Sequence, residues 1–277
     1  MKKREKYWNE DYTKYWKKRV DEANNDNIET SNIVAKDSKT TTDEVYLEAI
    51  SLLKINKEDK IIELGAGFGR SLSLLCSLAK HVSALDISDS MLELAKKNVE
   101  AQNIDYYVSP SEETPFENNS FNVAICFAAF DAMYQTNALI EINRICKNNG
   151  KVLITGKNDN YRDDDKEAFD AEIGARKKNH PNYFTDVVRL IDIIESFGFK
   201  VLNKRFFIQR GDFGLGVFTT KLPEHFYEFL FILEKVSKSS IDIDKVISCS
   251  ISKTFNRISK KFSKNSIHKS KGQTVLC

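Results

Sequence analysis

Residues 60–70, Lys-Ile-Ile-Glu-Leu-Gly-Ala-Gly-Phe-Gly-Arg, constrain the fold more than any other stretch of the chain. An apolar run too short for a helix, Ile61–Leu64, reads as a buried strand. It runs directly into Gly65, Gly67 and Gly69, which let the backbone turn sharply and come close to a ligand. An apolar helix, Ser71–Ala79, follows, and its first turn presents free N–H groups and the positive end of the helix dipole to whatever binds there. Val82–Leu85 reads as a second strand, ended by Asp86, whose carboxylate can accept hydrogen bonds from a ribose diol. A strand–loop–helix–strand unit of this kind binds its ligand at the carboxyl ends of parallel strands.

The pattern continues. Ser90 and Glu93 offer a capping box for a helix to about Ala101. Tyr106–Val108, Val123–Phe127 and Lys151–Thr155 read as strands, with a helix at Gln135–Cys146 and a stop at Asn148–Gly150. Thr185 caps an amphipathic helix carrying Val187, Leu190, Ile194 and Phe197, Gly198 stands at its C′ position, and Val201–Ile208 is a sixth strand. For a seventh strand Gly216–Thr220 and Lys245–Ser252 are the candidates, placed on either side of a helix at Pro223–Val236. Alternating strands and helices predict an α/β fold: a Rossmann-like, seven-stranded, mostly parallel sheet with helices on both faces. An N-terminal helical cap (1–55) precedes this core (56–221), which carries a charged substrate-side insert at 157–183. A C-terminal helical extension with a basic tail (222–277) follows it.

Composition narrows the function. With 42 Lys+Arg against 40 Asp+Glu, the chain has no field for a polyanion, and nucleic acid is not expected as a partner. Five scattered cysteines without a C-x-x-C pair argue against a disulfide framework or zinc site and for a reducing, cytoplasmic setting. The basic N-terminus meets Tyr7 and Trp8 rather than an apolar run, so it does not read as a secretory signal. No segment has the roughly 20 apolar residues of a transmembrane span.

Residues 60–156 resemble a class I S-adenosylmethionine (SAM)-dependent methyltransferase of the small-molecule type. The likeness rests on Glu63–Gly69, on Ala84–Ser88 with Met91–Ala95, on the proline–phenylalanine turn Thr114–Asn122, and on Glu141–Lys151. The main rival, an NAD(P)-dependent oxidoreductase, uses G-x-G-x-x-G/A; here the spacing is G-x-G-x-G and Arg70 stands where a small residue belongs. A catalytically silent SAM-binding domain is the third reading.

The resemblance implies SAM as cofactor and a set of contacts. Glu63, Gly65, Ala66, Gly67 and Gly69 form the loop on the methionine portion. Asp86 holds the ribose and Ile87 flanks the adenine. Ser111 and Glu112 lie where the adenine amine is met, although Pro110 replaces an Asp common there. Carbonyls of Phe127 and Ala128 face the ammonium group. Apart from the resemblance, Trp8 and Tyr12, on an aromatic helix at 4–24, read as a lid over the ligand, as rings that bury the helix against the domain, or as both.

For the acceptor, Cys126-Phe-Ala-Ala-Phe-Asp131 carries neither the Pro-Pro-aromatic signature of exocyclic-amine enzymes nor the Pro-Cys of cytosine-C5 enzymes. A small polar metabolite remains, an oxygen acceptor favoured over nitrogen, for example a sugar, nucleotide-sugar or secondary metabolite. His180, Asp131 and Tyr134 are the candidate catalytic groups, His180 because imidazole titrates near neutrality. Asp131 with Asn158–Asp159 would be a Mg²⁺ set only if the chain were of the catechol type, which its surroundings do not resemble; no metal is expected. Residues 247–262 form a basic amphipathic pattern that could pack on its own domain, on a second subunit in a homodimer, or on an anionic membrane surface.

Overall fold

The computed structural model describes residues 2–15, 17, 43–177, 182–236, 241–242 and 250–253. Its centre is one seven-stranded sheet. The strands are β1 (Lys60–Leu64), β2 (His81–Asp86), β3 (Ile104–Val108), β4 (Phe121–Cys126), β5 (Cys146–Lys157), β7 (Phe199–Phe207) and β8 (Glu228–Lys235). They lie in the order β3-β2-β1-β4-β5-β8-β7, and β8 pairs antiparallel with both neighbours. A short pair, β6 (Phe184–Thr185) with β9 (Ser252–Lys253), stands apart.

Helices cover both faces because the central strands β1, β4, β5 and β8 are apolar on both. On one side lie α2 (Asp43–Ser51), α3 (Leu72–Leu78) and α4 (Asp89–Asn98), contributing Ile50, Leu72, Leu75, Leu92 and Ala95 to a fully buried layer. On the other lie α5 (Gln135–Ile145) and α7 (Val187–Ile193), with Leu139, Ile142, Val187 and Leu190. The chain order reverses between β1 and β4, which opens a crevice at their carboxyl ends. The N-terminus adds α1 (Lys2–Lys6), wound on as a π-helix over Tyr7–Tyr12; α6 (Lys166–Lys177) and the single turn α8 (Asp212–Leu215) complete the described helices.

The seventh strand is the main correction. The stretch read as a helix at Pro223–Val236 is β8, inserted between β5 and β7. Phe229, Phe231 and Leu233 face one apolar layer while Leu230 and Ile232 face the other. A strand buried on both faces has no alternation to show, so its apolar run imitates a helix. The core therefore extends beyond residue 221. Gly216–Thr220 offers only a bridge from Thr219 to Phe206, and Ser252 belongs to the small pair. Lys235, at the end of β8, is 9% exposed and its ammonium donates to Asn119 Oδ1 and to the carbonyls of Asn143 and Cys146, at 2.7–3.0 Å.

Two caps also differ. Ser88, not Ser90, caps α4, its hydroxyl accepting from Met91 N at 3.2 Å. Asp186, not Thr185, caps α7 by accepting from Arg189 N. Gly198 does take the left-handed conformation, φ 80°, that ends the helical segment. The insert after β5 is not all loop: Asp165 Oδ1 accepts from Ala168 N and starts α6. His180 and most of the basic amphipathic stretch at 247–262 lie outside the described residues.

Candidate functional site

The crevice is a cavity of about 410 Å³, within the size range of small-molecule sites. Its floor is the loop after β1. Gly65 N and Ala66 N both donate to Leu85 O, at 2.8 and 3.0 Å, which ties the loop to the end of β2. Gly65 has φ +75°, and a Cβ there would stand 2.4 Å from Ala129 Cβ, so only glycine lets the loop after β4 come this close. Gly69 serves packing: a Cβ there would press on Val99, Ala95 and Leu72, and the residue does not line the cavity.

Asp86 ends β2 at the rim. Its Oδ2 accepts from Gly67 N at 2.9 Å and its Oδ1 from Ser88 N at 2.8 Å. Burial raises its carboxyl above the ordinary range, against the lowering effect of these backbone donors. Ile87 adds a third backbone hydrogen bond, and since a carboxylate has about four acceptor sites, acceptor capacity remains for a hydroxyl. Ile87, Ser111, Phe127 and Ala128 line the same cavity. Ala128 holds φ 49° and donates its N–H to Thr155 Oγ1 at 2.7 Å.

Glu63 is 3% exposed within β1. Ser71 Oγ donates to its Oε1, while Oε2 is sealed and accepts no hydrogen bond from the described residues. Desolvation pushes this carboxyl up to about 7, the Ser71 hydrogen bond only partly opposing it.

The roof comes from the N-terminus. Trp8 and Tyr12, ring centroids 4.5 Å apart, both line the cavity. Asn9 Oδ1 accepts from Ser90 N at 2.9 Å and from Ser88 Oγ at 3.1 Å, fastening the π-helix to the start of α4. Arg4, which sequence reasoning missed, grips Glu112 with two hydrogen bonds of 2.6 and 2.7 Å. Glu112 thus lines the cavity already paired to a cation and also accepts from Tyr134 N at 2.6 Å.

The remaining predicted residues separate. Asp131, in the short turn Phe130–Ala132, is 4% exposed and lines the cavity, ion-paired to Lys157 at the end of β5. Tyr134 is 43% exposed, lies outside the lining, and stacks under the Arg4 guanidinium at 4.4 Å. Asn158 and Asp159 line a different cavity, and Asn158 Nδ2 donates to Phe226 O. Lys157 and Arg210 were not singled out from the sequence. Nothing local marks them; only the pairing of β8 with β5 and β7 brings their ends of the sheet to the cavity. Arg70, the residue that argued against a dinucleotide loop, lines the cavity with its guanidinium 4.8 Å from the Tyr46 ring.

A family model, methyltransferase domain, matches residues 62–154, from the middle of β1 to the end of the β5 core. These residues are similar to that family over the glycine loop, Asp86 and the first five strands. An uncharacterized methyltransferase of Schizosaccharomyces pombe is 34% identical over 101 residues, covering 36% of this chain and 39% of its own. A demethylmenaquinone methyltransferase of Clavibacter sepedonicus is 29% identical over 98 residues, covering 35% and 40%. The chain thus spans about two-fifths of the length of these curated relatives. Among solved structures, the SAM-dependent methyltransferase of Mesorhizobium loti superposes with a TM-score of 0.55 at 13% identity, covering 69% of this chain and 97% of that one. The YcgJ protein of Bacillus subtilis gives 0.53 at 16%, covering 72% and 100%. The chain therefore has the Rossmann-like fold of these proteins, extended here by the N-terminal roof. No helix of the described residues is long and apolar enough to cross a membrane.

Proposed function

We propose that the chain binds SAM in the cavity and directs its methyl group to a small polar metabolite, with an oxygen acceptor favoured. The observation that carries this is the joined arrangement of Asp86 and Gly65–Gly67: a carboxylate fixed by backbone donors, with acceptor capacity to spare, facing a glycine-built floor. The residues present fit the ligand. Asp86 takes the ribose hydroxyls, the Glu63 carboxyl in the lining and the carbonyls after β4 suit an ammonium group, and Trp8 and Tyr12 cover the whole. SAM supplies, when bound, an electrophilic methyl on a sulfonium centre. The protein's tasks are alignment, exclusion of water and proton removal.

The acceptor half of the cavity lies toward Phe127–Met133, Thr155–Lys157 and Arg210–Phe213. Asp131 is the group there that suits proton acceptance, whereas Tyr134 lies outside the lining. A carbon acceptor of the quinone type is the second reading, supported by the demethylmenaquinone relative. Free thiols at Cys76, Cys126 and Cys146 support a reducing, cytosolic setting.

Calorimetry with SAM and with NAD(H) tests the ligand: binding of NAD(H) alone would sink the reading. Methyl-labelled SAM with a small-metabolite extract then tests the reaction. A labelled oxygen, nitrogen or carbon product names the acceptor, and SAM binding with no transfer would reduce the chain to a binding domain.

A further inference from the structure

Lys157 and Asp131 form an ion pair across the ends of β5 and β4, with side chains 25% and 6% exposed. Replacing such a pair by apolar groups is often neutral or stabilising, so stability alone is a weak reason for it. Its position is more informative. Both residues line the ligand cavity at the carboxyl ends of the strands. The Asp131 backbone is fixed, its carbonyl accepting from Tyr183 N at 2.6 Å. Lys157 takes Oδ2, whereas Oδ1 accepts no hydrogen bond from the described residues. One carboxylate oxygen is therefore held and the other remains for a ligand. Burial by itself would lower the Lys157 ammonium, but Asp131, with Tyr227 and Glu228, keeps it above its ordinary value. A lysine held protonated is not a base.

We propose that Lys157 is a positioning residue that aims Asp131 Oδ1 at the methyl acceptor, and that the acceptor belongs to the class that surrenders a proton, a hydroxyl compound. This rests on the methyl-transfer reading above. The acceptor oxygen forms its bond to the methyl carbon as the carbon–sulfur bond breaks, and that electron pair stays on sulfur, leaving a neutral thioether. The acceptor O–H bond breaks and its proton passes to Asp131 Oδ1. Lys157 keeps its three protons; protonation of Asp131 leaves that ammonium without its counter-charge, which favours release of the proton to water and resets the ion pair. General-base assistance of this kind contributes about 10²–10⁴-fold.

The test uses the full chain, methyl-labelled SAM and the acceptor-containing fraction of the metabolite extract. Lys157→Met is expected to lower kcat about 10–100-fold with SAM affinity by calorimetry within two-fold of the parent. Lys157→Arg should recover most of the loss. The double variant Asp131→Asn/Lys157→Met should be no slower than Asp131→Asn alone, because Lys157 acts only through Asp131. Independently of activity, acetic anhydride under native conditions should label Lys157 several-fold faster in Asp131→Asn than in the parent, read by mass spectrometry. Losses that multiply in the double variant, or full activity in Lys157→Met, overturn the proposal while leaving methyl transfer intact. A parent protein that transfers no label overturns the reading beneath it. If Lys157→Met lowers the melting temperature sharply, Lys157→Gln takes its place in every arm.

Discussion

Arg4 and Glu112 lie 108 positions apart and meet in a two-point ion pair, Nη1–Oε1 2.6 Å and Nη2–Oε2 2.7 Å, with both side chains under one-tenth exposed. Paired hydrogen bonds of this geometry are stronger and more directional than a lysine contact. The pair joins the N-terminal roof to the loop after β3, beside the cavity that Trp8 and Tyr12 cover. Arg4→Met should speed amide hydrogen exchange across residues 2–15 by about tenfold or more while leaving β1 and β2 protected. Equal protection in both proteins would show that the roof does not depend on this latch.

Gly65 and Gly67 both have positive φ, yet their surroundings differ. A Cβ on Gly65 meets Ala129 Cβ at 2.4 Å, whereas on Gly67 it finds only Met91 Cε at 3.6 Å. Gly65→Ala combines backbone strain with a forced shift and should cost about 3 kcal/mol or more in urea unfolding. Gly67→Ala carries the strain alone, about 1–2 kcal/mol. Equal losses would mean that the contact with Ala129 relaxes without cost.

Asp86→Ala removes the acceptor for Gly67 N and Ser88 N as well as the proposed partner of the ribose. SAM affinity should fall by about 1.5–3 kcal/mol, the loss usual for a charged hydrogen-bond partner. Titration calorimetry reads this directly, and an unchanged Kd would remove Asp86 from the site.

Glu63 gives a pH signature. Its folded-state carboxyl titrates near 7, above the ordinary 4.5, because burial disfavours the ionised form. Between those values the native state holds a proton that the unfolded chain has lost. The contribution is therefore fully present below about pH 4.5 and is lost as pH rises through 7, on the order of 3 kcal/mol. Glu63→Gln, which cannot ionise, should be more stable than the parent at pH 8 and nearly equal to it at pH 4.5. Parallel pH–stability curves for the two proteins would falsify the assignment.

The part of the site that was legible in the sequence is the part built locally. Gly65–Gly67, Asp86 and Ile87 announce themselves because a strand end, a tight turn and a helix start need particular residues within a few positions. Asp86 reaches Gly67 across 19 positions because one strand–loop–helix–strand unit brings the ends of β1 and β2 side by side. The aromatic clustering of Trp8 and Tyr12 marked the N-terminal segment, and the structure places both rings in the cavity lining. Arg4, Lys157 and Arg210 were not legible, since nothing near them in sequence says which distant carboxylate or cavity they will face.

The same division runs through the fold. By itself the sequence determined an α/β sheet, its first five strands and the glycine loop, because period, caps and turn residues are local properties. Only the tertiary structure decided that 228–235 is a strand. Phe229, Leu230, Phe231 and Ile232 are apolar in succession because β5 and β7 flank them and both apolar layers cover them. Burial on two faces erases the alternation by which a strand is read, and it is that inserted strand which completes the wall where Lys157 meets Asp131.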